Sequence, residues 1–138
     1  MKFDVKIGTT KIQDVKTSSN QTTSFLWEGE NVLSTPSMIS ELEETCRLLL
    51  KDFVLKEKEW DSVGTIVDIK HIAMTPVGST IRLKAIIESV NNRRVMFNVE
   101  VFDDIEKIGE GKHERFIINI AKFKSKFEEK KGKLHVNN

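Results

Sequence analysis

Cysteine is nearly absent from this chain. A single thiol, Cys46, in 138 residues excludes an intramolecular disulfide and suits a reducing compartment, so a cytoplasmic location is expected. Histidine is scarce too, and three histidines with one cysteine cannot build the usual structural zinc site. Only two prolines occur, Pro36 and Pro76, and both fall where one element gives way to the next. Charge of one sign is missing: 22 Lys and Arg stand against 21 Asp and Glu, which leaves no strongly basic footprint for nucleic acid. No apolar run exceeds three residues, so no segment reads as a membrane span. The start, Met1 to Val5, lacks the apolar stretch of a signal peptide. There is no internal repeat, no phosphate-cradling glycine loop and no metal-ligand spacing, and no cofactor is expected. At ~150 residues per domain the length reads as one domain, able to bury ~68–70% of its unfolded surface. Its core is expected over about 2–127, with 128–138 a frayed tail.

What is present is a strong pattern. Ser34-Thr35-Pro36 is a helix-start signature, because a hydroxyl can cap orphan amides and proline has none to waste. Thr35 reads as the N-cap. Met38, Ile39, Leu42, Cys46, Leu49, Leu50 and Phe53 follow at helical spacing and predict a helix from 36 to about 56. The rest reads as strands. A short one is expected over 2–8, and 16–24 reads as a turn or an edge strand. Val63, Thr65, Val67, Ile69, His71 and Ala73 alternate on one face of a first long strand. Thr75-Pro76-Val77-Gly78 is a turn. Ile81 to Ile87 and Val95 to Val101 alternate in two more strands, joined by a hairpin at Asn91-Asn92. A fourth spans 107–120 after a turn at Asp103-Asp104. Phe123 and Phe127 are spaced for a last helical turn that packs them down. A long helix followed by a four-strand antiparallel meander is an α+β pattern. Strands wrapping one central helix suggest a hotdog fold, with cystatin-like folds as competitors.

Three glutamates lie in the helix, and only one faces inward. With Glu43 as zero, ~100° per residue places Leu50, Ile39, Cys46 and Val54 within about 60° of it. Glu41 and Glu44 point away. A carboxylate inside an apolar stripe needs a partner or a job. The bland alternative is a stripe-edge glutamate that reaches water. His71, between Ile69 and Ala73 on an apolar face, is either a hydrogen-bonded core residue or a proton-transfer group. The Thr35 hydroxyl at the positive end of a helix could cap it, help an oxyanion, or both. His113 shares a strand face with Gly109, Gly111 and Arg115, where two absent side chains admit the helix or a ligand. Arg115 could pair a carboxylate or a phosphate. Cys46 reads as core packing, and His135 carries no role.

Three segments together resemble the hotdog-fold acyl-CoA thioesterases of the fluoroacetyl-CoA thioesterase kind. They are Leu33 to Glu43; Gly64-Thr65 with His71 and Ala73 to Gly78; and Gly109 to Arg115. The resemblance covers about 32–120. It implies a threonine, glutamate and histidine acting together, which fall on Thr35, Glu43 and His71. It implies Gly64 and Arg115 at the substrate site. It also implies hydrolysis of a small or medium acyl-CoA thioester, in a cleft between two copies. The expected partners are thus the acyl-CoA and a second copy, as a dimer or a dimer of dimers, with neither nucleic acid nor membrane. The stretch Trp27 to Leu33 is shorter than its counterpart in fluoroacetyl-CoA thioesterase and carries no phenylalanine, which points away from fluoroacyl selectivity. The rival readings are a non-catalytic acyl-CoA-binding module and an enoyl-CoA hydratase or dehydratase on the same fold. Thr35 and Glu43 raise a geometric difficulty, because eight residues of helix separate them by ~12 Å.

Overall fold

One helix lies against one face of a five-stranded antiparallel sheet. A computed structural model describes residues 3–23 and 25–134 of the chain. The strands are β1 (Thr10–Lys16), β2 (Trp60–His71), β3 (Thr80–Asn91), β4 (Arg94–Phe102) and β5 (Lys107–Asn119). The helices are α1 (Thr35–Phe53), between β1 and β2, and α2 (Ile120–Leu134), after β5. This is the α+β hotdog arrangement expected from the pattern.

The core forms where the periodicities meet. Met38, Leu42, Cys46, Leu49 and Leu50 of α1 are fully buried against Ile81, Leu83, Ala85 and Ile87 of β3 and Val95, Phe97, Val99 and Val101 of β4. Each buried aliphatic or aromatic side chain contributes roughly 1.5–3 kcal/mol. Gly109 on β5 lets α1 come close, since a Cβ there would sit 2.8 Å from the Met38 sulfur. The close approach expected at that glycine is therefore by the helix. The hairpin at Asn91-Asn92 is as expected, with Asn92 at φ 57°.

Several elements differ from expectation. The four strands after α1 are not a meander. The sheet order is β1-β3-β4-β5-β2, so β2 pairs with β5 and not with β3. The neighbour of β3 on that side is β1, which pairs with it from Thr10–Ile86 to Lys16–Thr80. Residues 3–9 form no strand, and Lys2 lies outside the described residues, as does Ser24. The helix α1 ends at Phe53 rather than about 56, because the amides of Val54 and Leu55 both turn back to the Leu50 carbonyl. Past β5, α2 runs on through the segment expected to fray. It has no buried residue, and Phe123 and Phe127 are exposed rather than packed down. His135 and the rest of the expected tail lie outside the described residues.

The most consequential difference is in β2. Gly64 pairs with Arg115 and Ile66 with Glu114, which leaves Thr65 as a bulge. A bulge adds one residue and reverses the facing of everything beyond it. Ser62 and Gly64 therefore face inward before the bulge, and Val67, Ile69 and His71 face inward after it. Val63 and Thr65 do not share the face of His71, contrary to the simple alternation.

Candidate active site

The first turn of α1 carries an unexpected division of labour. Ser34, not Thr35, is the N-cap: its Oγ accepts from the Ser37 amide, and its carbonyl accepts from Met38. Thr35 is the first helical residue and its hydroxyl is released from capping. It lies 2.8 Å from Nδ1 of His71 at the end of β2. The rim beneath is fixed by backbone bonds, with Leu33 donating to Thr75 and Val77 to Asn31. Burial holds the His71 imidazole below the ordinary histidine range, so it is neutral at pH 7. Its Nε2 is buried and has no hydrogen-bond partner among the described residues. Native structures seldom leave a buried polar atom orphaned unless it serves function or receives a partner from outside the chain.

Two turns along α1, the three glutamates separate by their partners. Glu41 accepts from Gln21 at 2.7 Å. Glu44 accepts from Arg47, which also forks onto Asp61. Glu43 accepts no hydrogen bond among the described residues, and its nearest cation is Arg115 at 3.7 Å. It is partly open, with 38% of its side chain exposed. It borders an open depression of about 370 Å³ lined by Ser40, Glu41, Glu43, Glu44 and Arg115.

Gly64 is the floor beneath this carboxylate. A Cβ there would stand 2.9 Å from Glu43 Oε2 and 3.0 Å from His113 Cε1. Arg115 is 7% exposed in its side chain, so its charge is held inside the protein. Its Nε donates to the Ser62 hydroxyl and its Nη2 to the Ser62 carbonyl, both at 2.7 Å, and its Nη1 meets His113 Nε2 at 3.1 Å. The remaining direction leads to Glu43. Of the two roles open to Arg115, orienting a carboxylate is the one its surroundings favour. Ser62 carries no signal of its own in the sequence; only its shared parity with Gly64 could have drawn attention to it.

The five expected site residues thus form two groups. Thr35 and His71 meet directly, and Glu43, Gly64 and Arg115 meet directly, but within one chain the groups do not join. Cys46 takes part in neither: burial pushes its thiol up to about 12, so it stays protonated and packs. A larger cavity of about 590 Å³, between Phe3, the β3–β4 turn and Phe116, is lined by none of the five.

Comparison with known proteins gives this geometry a setting. The family model described as FlK, fluoroacetyl-CoA-specific thioesterase, matches residues 17–121. The fluoroacetyl-CoA thioesterase of Streptantibioticus cattleyicolor is 29% identical over 137 residues, covering 94% of this chain and 97% of its own. A solved structure of the fluoroacetyl-CoA thioesterase FlK superposes with a TM-score of 0.83 at 28% identity, over 92% of this chain and 98% of that one. A thioesterase superfamily member from Thermus thermophilus shares the fold, with a TM-score of 0.85 at 23% identity over 97% and 98% of the two chains.

Proposed function

Because the chain belongs to the fluoroacetyl-CoA-specific thioesterase family, we propose that Thr35, Glu43 and His71 carry out its reaction, with Gly64 and Arg115 supporting them. That reaction is hydrolysis of an acyl-CoA thioester to the free acid and CoA. The observation that carries the residue assignment is the His71 ring, bonded to Thr35 on one side and orphaned on the other.

Glu43 supplies the negative charge, either attacking the thioester carbonyl itself or taking a proton from the water that does. The carbonyl π electrons move to oxygen, and donors must meet the resulting oxyanion. At the start of α1, Ser37 and Met38 have spent their amides on Ser34, and Pro36 has none. The Thr35 hydroxyl, the Thr35 amide and the Gly64 amide are the remaining choices. Collapse of the adduct expels the CoA thiolate, and the proton it needs passes through His71, whose neutral ring can both accept and donate. If Glu43 is the nucleophile, water then cleaves the anhydride at the cost of one further proton transfer. No cofactor enters this scheme. The acyl group is taken to be small or medium.

A homodimer brings the two groups of residues together in this reading. The chain's β2 is an edge strand, with Ile66 43% and Val67 47% exposed on its two faces. Such an edge is a template for pairing with another strand. A two-fold axis near Asp68 would continue the sheet into a second copy. The bulge at Thr65 would then set Gly64 level with His71 of that copy, and Glu43 near its Thr35. Putting a carboxylate at the edge, by Val67→Asp, is expected to yield monomers by light scattering and to abolish hydrolysis in step. Monomers with full turnover would overturn the shared site. Among the described residues no helix is long and apolar enough to cross a membrane, and the proposed place of work is the cytoplasm.

The function is tested by thiol release from a panel of short and medium acyl-CoA esters. Binding of CoA without release across the panel would favour the non-catalytic module. Consumption of an enoyl-CoA with its thioester intact would favour a hydratase.

A further inference from the structure

His113 has no place in the scheme above, yet it is the most enclosed polar side chain near it. It is fully buried on β5, stacked against Phe97 with ring centroids 6.5 Å apart. Its Nδ1 lies 2.8 Å from the Ile66 carbonyl, and its Nε2 lies 3.1 Å from Arg115 Nη1. The chemistry of those partners leaves one protonation state. A carbonyl can only accept, so Nδ1 carries the hydrogen. A guanidinium can only donate, so Nε2 carries the lone pair. The other neutral tautomer would oppose lone pair to carbonyl and N–H to N–H, and the imidazolium would oppose N–H to N–H beside a second positive charge.

Resting on the proposed role of Glu43, we propose that His113 is a positioning residue. As a tautomer-locked neutral acceptor it ties the β2 bulge to Arg115, and so fixes the guanidinium that faces Glu43. Ile66 is the residue just past the bulge, so one ring clamps the backbone that presents Gly64 and the side chain that orients Glu43. Ser62 completes the cradle from the near side of the bulge, with its hydroxyl and its carbonyl. Three donors of Arg115 are thereby committed, and the one left on Nη1 points to Glu43. His113 itself reaches no reacting atom. The charged groups acting on it are Arg115 and Glu114 on β5 and Glu43 on α1; β2 presents the Ile66 carbonyl and β4 an uncharged phenyl ring. Burial first, and then Arg115, keep the ring below the ordinary histidine range against the pull of the carbonyl and the two glutamates.

The test pairs two variants with one measurement on the unaltered protein. His113→Leu keeps bulk but offers Arg115 no acceptor. His113→Gln restores an acceptor oxygen and an amide donor. His113→Leu is expected to lower kcat by up to about 100-fold, the cost of a misplaced catalytic group, with KM for acyl-CoA within a few-fold. His113→Gln is expected to recover most of that loss. If both variants lose rate and melting temperature alike, or if His113→Leu keeps full kcat, the positioning role is wrong. In the unaltered protein, nitrogen-15 resonances of His113 should report hydrogen on Nδ1 and a bare Nε2 from pH 7 down through the ordinary histidine pKa of ~6.5. An Nε2–H tautomer or an imidazolium in that range would overturn the proposal even if neither variant folds. Glu43→Gln is run beside them. Full activity there would sink the parent reading, whereas an inactive Glu43→Gln beside an unimpaired His113→Leu would sink this one alone.

Discussion

Glu43→Gln is expected to reduce kcat for acyl-CoA hydrolysis by about 10²–10⁴-fold, the usual worth of a positioned acid–base group. The amide keeps the shape of the side chain and removes its charge and its basicity. Whether Glu43 attacks carbon directly or deprotonates water, both routes need the anion. The fold should survive, because Glu43 accepts no hydrogen bond among the described residues and is partly open to water. Its neighbours provide the controls. Glu41→Gln and Glu44→Gln disturb bonds to Gln21 and Arg47, outside the proposed catalytic trio. Their rates should stay within a few-fold of the parent. Thiol release at saturating substrate, with a melting curve for each variant, decides the matter. Equal loss in all three would mean that acidity of the helix face, rather than Glu43, is what counts.

His71→Ala is expected to have the second largest effect, on the order of 10²–10³-fold in kcat. The loss follows from removing the ring that bonds Thr35 and carries an orphaned nitrogen. Thr35 should follow a graded pattern. Thr35→Ser keeps the hydroxyl and most of the rate, while Thr35→Val keeps the branched shape and loses it. Ser34 remains the cap in each case, so helix stability should barely change. Acid adds a second readout. The folded-state pKa of His71 lies below its unfolded value of ~6.5, so between the two the unfolded chain binds the proton more readily. Stability is thus fully present above ~6.5 and falls as pH drops through the folded pKa. His113 is displaced in the same direction and adds to the loss. His71→Ala should flatten this acid dependence in part, measured as melting temperature against pH. An unchanged curve would mean that His71 is not held neutral by the fold.

What could be read from the residues alone depended on unbroken periodicity. The inward faces of β3 and β4 alternate without interruption over their buried stretches, and each expected core residue there is buried. The wheel of α1 separates Glu43 from its neighbours, and the structure sets it over Gly64 beside Arg115, since helical angle needs no tertiary information. By contrast β1 is polar and charged, with the burial of an edge strand, so no apolar rhythm announces it. Strand order depends on which edge β2 reaches, and nothing local in its sequence encodes that. Thr35 reads as the cap in the sequence because Thr-Pro and Ser-Thr-Pro starts look alike; one residue of offset decides whether the hydroxyl is spent on an amide or offered to His71. The bulge at Thr65 is a similar offset. Regular alternation puts residues an odd number apart on opposite faces, and Gly64 and His71 are seven apart. Only the extra residue lets both face inward.

That extra residue also governs how this protein can change length. Surface loops absorb insertions, because closing a slightly longer loop costs little. The Asp103–Glu106 turn, closed by the Asp103 amide on the Glu106 carbonyl, is such a place. β2 behaves as a counted track. One residue gained or lost between Gly64 and His71 would turn the ring outward while the glycine stayed in, or the reverse, with almost every backbone bond to β5 available to re-form. The ladder could re-form, but Ile69 would leave the core and the ring would leave Thr35. Drift in sequence along this strand is therefore permitted far more freely than drift in its length.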